Sequence, residues 1–205
     1  MNVLVFGAHP DDIELGCGGT LLKHVKAGNK VYLCVMCRGH VADDPEIRKK
    51  EAEEAAKRLG STELFWGGWQ DTEFQVTKGA VKFIEEVVEK TRPYEVYVNY
   101  DNDSHQDHRA LAQCVVAGTR FNKRILYYES VTSISFQPDI FVDIEEFLED
   151  KLHVLKAFKS QITRNVPSGR QMLDVIQAMA GFRGFQAKVN YAEGFKAVRY
   201  HKLDF

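Results

Sequence analysis

Short apolar runs alternate with charge-rich, helix-periodic stretches through the first two-thirds of the chain. That alternation restricts it to strand-helix units laid on a parallel sheet. Residues about 2–7 form a strand whose Val3-Leu4-Val5-Phe6 is apolar at every position, as suits the sheet centre with helices on both faces. Residues about 16–28 read as a helix, with Leu21, Leu22 and Val25 at helical spacing and Gly28-Asn29 as the stop. A strand at about 30–36 precedes a helix from Pro45 to Leu59, with proline near its start and Gly60 just past its end. The spacing predicts a strand over Thr62–Trp66, a helix over Thr77–Thr91, a strand over Glu95–Asn99 and a helix from His108 to about Gly118. Strands follow at about 125–128 and 140–144, then helices at about Glu145–Ser160 and Arg170–Met179. Gly67–Gln75, Asn165–Gly169 and Gly181–Ala187 read as loops, and Tyr191-Ala192-Glu193-Gly194-Phe195 as a stretch folding back on the body. The expectation is one α/β domain over 1–205, its central sheet mostly parallel with helices on both faces.

Composition removes several classes of function. A formal charge of −2, with 27% charged residues, offers no basic field for nucleic acid or an anionic membrane. The longest apolar runs, such as Val31–Met36, fall far short of the roughly 20 residues of a membrane span. The first residues enter a strand with no basic leader, which points to the cytoplasm. Cys17, Cys34, Cys37 and Cys114 are too sparse for a disulfide scaffold and suit a reducing compartment. Cys34-x-x-Cys37 reads as a strand thiol and a loop thiol, because no second pair completes a zinc site.

The chemistry sits at two strand ends. The first strand runs into Gly7-Ala8-His9-Pro10-Asp11-Asp12-Ile13-Glu14, an imidazole and three carboxylates within six positions. Ligands bind at the carboxyl ends of strands in open α/β sheets. A bare buried cluster of this kind suffers like-charge repulsion, which a divalent cation relieves. The fourth strand ends near Ser104-His105-Gln106-Asp107-His108, and first and fourth strands are commonly neighbours at the switch point. Mixed imidazole and carboxylate donors with one open position suit a hydrolytic zinc site.

These motifs resemble the LmbE/PIG-L family of zinc-dependent deacetylases, marked by A-H-P-D-D after the first strand and H-x-D-H later, here Ala8–Asp12 and His105–His108. Weaker likenesses are Arg48-x-x-Glu51 with Leu59-Gly60, an aromatic loop reaching Asp71, Phe141–Ile144, Ser160-Gln161 and Ala192–Phe195, so the resemblance spans most of the chain. It implies a Rossmann-like fold, zinc ligands His9, Asp12 and His108, and Asp11 as general base. It implies His105 as proton donor or oxyanion stabiliser, with Asp107 orienting and charging it. The implied reaction is removal of an N-acetyl group from an N-acetylglucosamine-like molecule by a metal-activated water. Iron(II) suits the same donors, and a trimer or hexamer is the implied assembly.

Arg48 and Asp71 match positions where the family contacts substrate, and Trp69 stands where it can stack on a sugar ring. Against these stand an Arg48–Glu51 pair on one helix face, an ordinary turn at Asp71, and helix-capping roles for Asp11 and Asp107. Gly16-Cys17-Gly18-Gly19-Thr20 lacks the G-x-G-x-x-G spacing of a phosphate loop and reads as close helix packing. His24, His40, His153 and His201 lack a partner cluster, and only His40 lies in a loop that can border the site. One departure concerns Asp103, which stands where some family members carry a tyrosine; Tyr100, Tyr128 and Tyr191 are the substitutes to consider. Two other readings use the same residues: an esterase or lactonase acting on another acyl group, and a zinc-containing sugar-binding module without catalysis.

Overall fold

A computed structural model of the chain describes residues 1–163, 169 and 171–201. Its elements are β1 (Asn2–Gly7), α1 (Asp12–Lys26), β2 (Lys30–Cys37), α2 (Pro45–Leu59), β3 (Glu63–Trp69), α3 (Lys78–Thr91), β4 (Glu95–Asn99), α4 (Gln106–Gly118) and β5 (Arg124–Tyr128). There follow β6 (Ile140–Asp143), a 3-10 turn at Glu145–Phe147, α5 (Leu148–Leu155), α6 (Lys159–Ile162), α7 (Met172–Ala187) and β7 (Ala192–Tyr200).

Among the described residues one seven-stranded sheet runs β3-β2-β1-β4-β5-β7-β6. The first five strands are parallel, and β7 is antiparallel to both β5 and β6. This is the α/β, Rossmann-like arrangement expected. The apolar β1 lies at its centre, with Val3 and Val5 in one core layer and Leu4 and Phe6 in the other. All four side chains are fully buried. Each such burial contributes about 1.5–3 kcal/mol, against roughly 1–2 kcal/mol for ordering a residue's backbone. Local chemistry fixes the helix ends. The Asp44 side chain accepts from the Glu46 and Ile47 N–H groups at the start of α2, and Gly60 closes it in the left-handed region at φ 80°.

The carboxyl-terminal third differs from expectation. Gly181–Ala187 is helical, because the glycines there serve packing rather than turning: a Cβ at Gly184 would collide with the Asn190 carbonyl. Ala192–Tyr200 is a strand inserted between β5 and β6, which the aromatic and glycine content around Tyr191–Phe195 did not announce. α1 starts at Asp12, four residues before the expected point, and the predicted helix over Glu145–Ser160 is divided into three short pieces. Most of the predicted loop Asn165–Gly169 lies outside the described residues. Cys34 and Cys37 both belong to β2, and all four cysteines are buried free thiols.

Candidate active site

β1 and β4 pair directly, so the segment after Gly7 and the segment after Asn99 open into one crevice. β1 passes into α1 through Asp11, whose φ of 105° is rare for a residue with a side chain. Strain of this kind persists where the surroundings over-determine it. The Asp11 carboxylate makes no cap bond to α1 and lies 3.1 Å from Arg48 Nη2. Its neighbour Asp12 points the other way. Asp12 Oδ2 accepts from the His9 N–H at 2.8 Å and lies 3.4 Å from His9 Nδ1 and 3.2 Å from His108 Nε2.

The far nitrogen of each imidazole meets another buried carboxylate. His9 Nε2 is 3.0 Å from Asp107 Oδ2, and His108 Nδ1 is 3.2 Å from Asp103 Oδ2. The second contact is an ion-pair approach, since no acceptor stands in line with that nitrogen. Backing a histidine with a carboxylate fixes its tautomer and ring orientation and leaves the near nitrogen free as a metal donor. Around a tetrahedral zinc at 2.0–2.2 Å, neighbouring donor atoms sit about 3.3–3.6 Å apart. The 3.4 and 3.2 Å spacings about Asp12 Oδ2 match two of the three edges that such donors would span around a metal ion.

The charges argue the same way. Burial alone would lower His9, yet hydrogen bonds to Asp107 and Asp12 lift it to about 10. Burial likewise opposes His108, but Asp12 and Asp103 raise it to about 9. Three carboxylates thus demand positive charge at this point, which a divalent cation supplies without protons. Asp11 is raised to about 6, chiefly by burial, with the Arg48 charge opposing and Asp12 adding. A carboxyl group in that range can exchange a proton near neutral pH. Among the described residues two sets of side chains bring donor atoms within 4.8 Å of one another: His9, His105 and His108, and His9, Cys37 and Asp107. Burial and the carboxylates of Asp107, Asp71 and Asp12 push the Cys37 thiol up, so it stays protonated.

His105 is the N-cap of α4, and its Nδ1 accepts from the Asp107 N–H at 3.2 Å. That bond assigns the ring proton to Nε2. Burial and the charges of His9 and His108 lower the His105 pKa. Asp107 thus orients His105 through its backbone N–H, while its charge, which raises the imidazole, is outweighed by burial and by His9 and His108. The Asp107 carboxylate turns inward, where Oδ2 accepts from the Thr72 N–H at 2.7 Å as well as facing His9. Thr72 holds a left-handed φ of 66° to present that N–H.

Around these groups lies a cavity of about 370 Å³, within the usual range for small-molecule sites. His9, Asp11, Asp12, His105, His108, Arg48 and Asp71 all reach its wall, as do Gln161 and Met172 from the carboxyl-terminal third. Arg48 is buried among Asp11, the Pro10 carbonyl and Glu51, whose own oxygens accept from the Ser160 N–H and hydroxyl. Asp71 accepts from the Gly39 and Val41 N–H groups at 2.7 and 3.1 Å, which ties down the loop after β2, and His40 stands beside it. Trp69 is the predicted residue that falls elsewhere. Its half-buried ring packs edge-on against Phe74 and Phe83 at the margin of the core, because β3 continues to residue 69 and turns the side chain onto the sheet face. Tyr100, Tyr128 and Tyr191 do not reach the cavity wall either, and the Tyr128 hydroxyl is bonded to the Phe6 carbonyl and Asn99.

Asp103, marked in the sequence only as a departure from the family's tyrosine, faces the site as a carboxylate partner of His108. It accepts from the His105 N–H at 2.8 Å and from Ser130 Oγ at 2.5 Å while facing His108. A carboxylate two positions before H-x-D-H is the signal that could have found that role. Ser130, which arrives from beyond β5, carries none.

The family described as "PIG-L: GlcNAc-PI de-N-acetylase" matches residues 4–118, both strand-end motifs included. The uncharacterized deacetylase YaiS of Escherichia coli (strain K12) is 34% identical over 168 residues, covering 78% of this chain and 91% of that protein. The structure of N,N'-diacetylchitobiose deacetylase from Pyrococcus horikoshii, solved with its inhibitor, superposes with a TM-score of 0.87 at 26% identity, covering 100% of this chain and 87% of that one. GalB, the 4-carboxy-2-hydroxymuconate hydratase of Pseudomonas putida KT2440, also reaches a TM-score of 0.87, covering 100% and 98%, but at 18% identity that likeness shows the fold alone. A shared fold leaves the reaction to be read from the site. The match through both motifs and the identity to YaiS place this chain in the PIG-L de-N-acetylase family.

Proposed function

We propose that the chain is a zinc-dependent N-deacetylase that hydrolyses the N-acetyl amide of an N-acetylglucosamine-like small molecule or glycoconjugate. His9, Asp12 and His108 hold the metal in this reading. It is carried by one observation: two imidazoles face the same Asp12 oxygen, each backed by its own buried carboxylate. The diacetylchitobiose deacetylase relatives support the substrate class. When bound, zinc supplies polarisation of the amide carbonyl and brings a water's pKa from about 15.7 to near 7.

The chain's own groups do the rest. Asp11 takes the proton from the attacking water, with Arg48 holding its carboxylate in place. His105, with its proton on Nε2, donates a hydrogen bond to the carbonyl oxygen as negative charge develops there. As the C–O bond forms and the C–N bond breaks, the proton collected by Asp11 is the one the departing amine requires. Asp71 and His40 shape the mouth through the loop after β2, and the apolar Val41, Val131 and Met172 offer a surface for the rest of the substrate.

Protein stripped of metal and reloaded with zinc or iron(II) should release acetate from N-acetylglucosamine and N,N'-diacetylchitobiose, and a chelator should stop it. Hydrolysis of acetyl esters alone would favour the esterase reading. Sugar binding without turnover of any acyl compound would favour the non-catalytic one.

A further inference from the structure

Helix α1 is broken. Cys17, at φ −140° and ψ 18°, divides it into a short first part carrying Asp12 and a longer second part. In an unbroken helix the Gly19 N–H and the Leu15 carbonyl are partners, as are the Thr20 N–H and the Gly16 carbonyl. Here the Gly19 N–H donates to Glu193 Oε1 at 2.9 Å and the Thr20 N–H donates to Glu193 Oε2 at 2.7 Å. The Leu15 carbonyl accepts from Lys151 Nζ at 2.8 Å. Lys151 Nζ also donates to Glu193 Oε1 at 2.7 Å, and both side chains are 3% exposed.

An ion pair therefore fills the gap, its carboxylate on the donors that open the second part and its ammonium on the carbonyl that ends the first. Its polarity matches the two helix ends it meets. Beside the break, a Cβ at Gly19 would stand 2.9 Å from Ile144, so glycine there lets that side chain pack against the helix, while Gly18 leaves Lys151 Cγ at ordinary contact distance. The same bonds occupy the backbone donors that a phosphate would need, which accounts for Gly16–Thr20 without a nucleotide.

Buried ion pairs give little net stability compared with well-packed apolar residues, so stability alone is a weak account of this one. What it does fix is direction. The first part of α1 is a single turn, held by the Leu15 N–H donating to the Asp11 carbonyl at 2.9 Å, and its far end is tied to Lys151. The tilt of that turn decides where Asp12 Oδ2 falls relative to His9 and His108. We propose that Lys151 and Glu193 are positioning residues that aim the Asp12 carboxylate at the two imidazoles, an inference resting on the metal-site reading above.

The test is metal affinity rather than turnover. Apo protein carrying Glu193→Gln is titrated with zinc against a chromogenic chelator and with cobalt(II) by its visible absorption. Ile84→Val, in the opposite core layer, serves as a control of altered packing. The expected result is a zinc Kd raised at least tenfold with a changed cobalt spectrum, while Ile84→Val keeps wild-type values whatever its melting temperature. A Kd within twofold of wild type, with only the melting temperature moved, overturns the proposal. If Glu193→Gln does not fold, Lys151→Arg keeps the charge but shifts the donor. A several-fold rise in Kd then supports the inference and an unchanged Kd overturns it. Wild-type protein that binds zinc but releases no acetate would sink the deacetylation reading and leave this one standing, whereas failure to bind zinc overturns both.

Discussion

Asp103→Asn tests whether the carboxylate behind His108 sets the metal site. The side chain is almost fully buried and uses both oxygens: Oδ1 accepts from the His105 N–H, and Oδ2 accepts from Ser130 Oγ while facing His108 Nδ1. Burial alone would raise this carboxyl, but His108, Ser130 and the His105 N–H hold it well below the ordinary carboxylate range. Asparagine keeps the shape and cannot satisfy the same neighbours. With its NH2 toward His108 two donors meet, and with its NH2 toward His105 the clash moves to the backbone N–H. One orientation gives up the ion-pair approach to His108, and the other gives up a hydrogen bond made to a charged group, about 1.5–3 kcal/mol. Loss of a carboxylate behind a metal-ligating histidine typically weakens metal affinity about 10–100-fold, or roughly 1.4–2.7 kcal/mol, which is the same size. Zinc Kd measured by chelator competition should therefore rise by one to two orders of magnitude. A Kd within twofold of wild type, in a variant that melts normally, would refute the reasoning.

Three further outcomes follow from particular contacts. Asp11→Asn should keep one zinc per chain while kcat falls about 10²–10⁴-fold; undiminished turnover, or loss of the metal, would remove Asp11 as the base. Gly16→Ala forces a methyl group against the Tyr128 ring and should cost about 1–3 kcal/mol in denaturant melts, whereas Gly79→Ala makes only an ordinary 3.8 Å contact with Thr77 Oγ1 and should cost nothing. The His24 pKa is lowered by burial and by the amino-terminal charge, and its Nδ1 accepts from the Asn29 amide. The stability it contributes is present above about pH 6.5, the unfolded value, and is lost as pH falls through the lower folded value. His24→Gln should flatten the decline in melting temperature between about pH 7 and pH 5; an identical slope in both proteins would contradict this.

The strand-helix alternation and the two strand-end motifs were legible because each is local. An all-apolar β1 declares its place in the sheet, and the alternation with helices makes β4 its neighbour, so the meeting of His9, Asp12 and His108 follows from topology. α2 ran from Pro45 to Leu59 as read, since proline and glycine mark its ends through backbone chemistry alone. Side-chain direction is another matter. The Asp107 carboxylate turning to His9 and Thr72, Asp103 backing His108, Trp69 packing at the margin of the core and Arg48 holding Asp11 depend on where remote segments arrive. So does the ion pair in the α1 break, which joins residues 15, 19 and 20 to 151 and 193. Pattern and propensity are properties of neighbouring residues, whereas the partner of a buried charge is chosen by the fold, which admits no such charge without one.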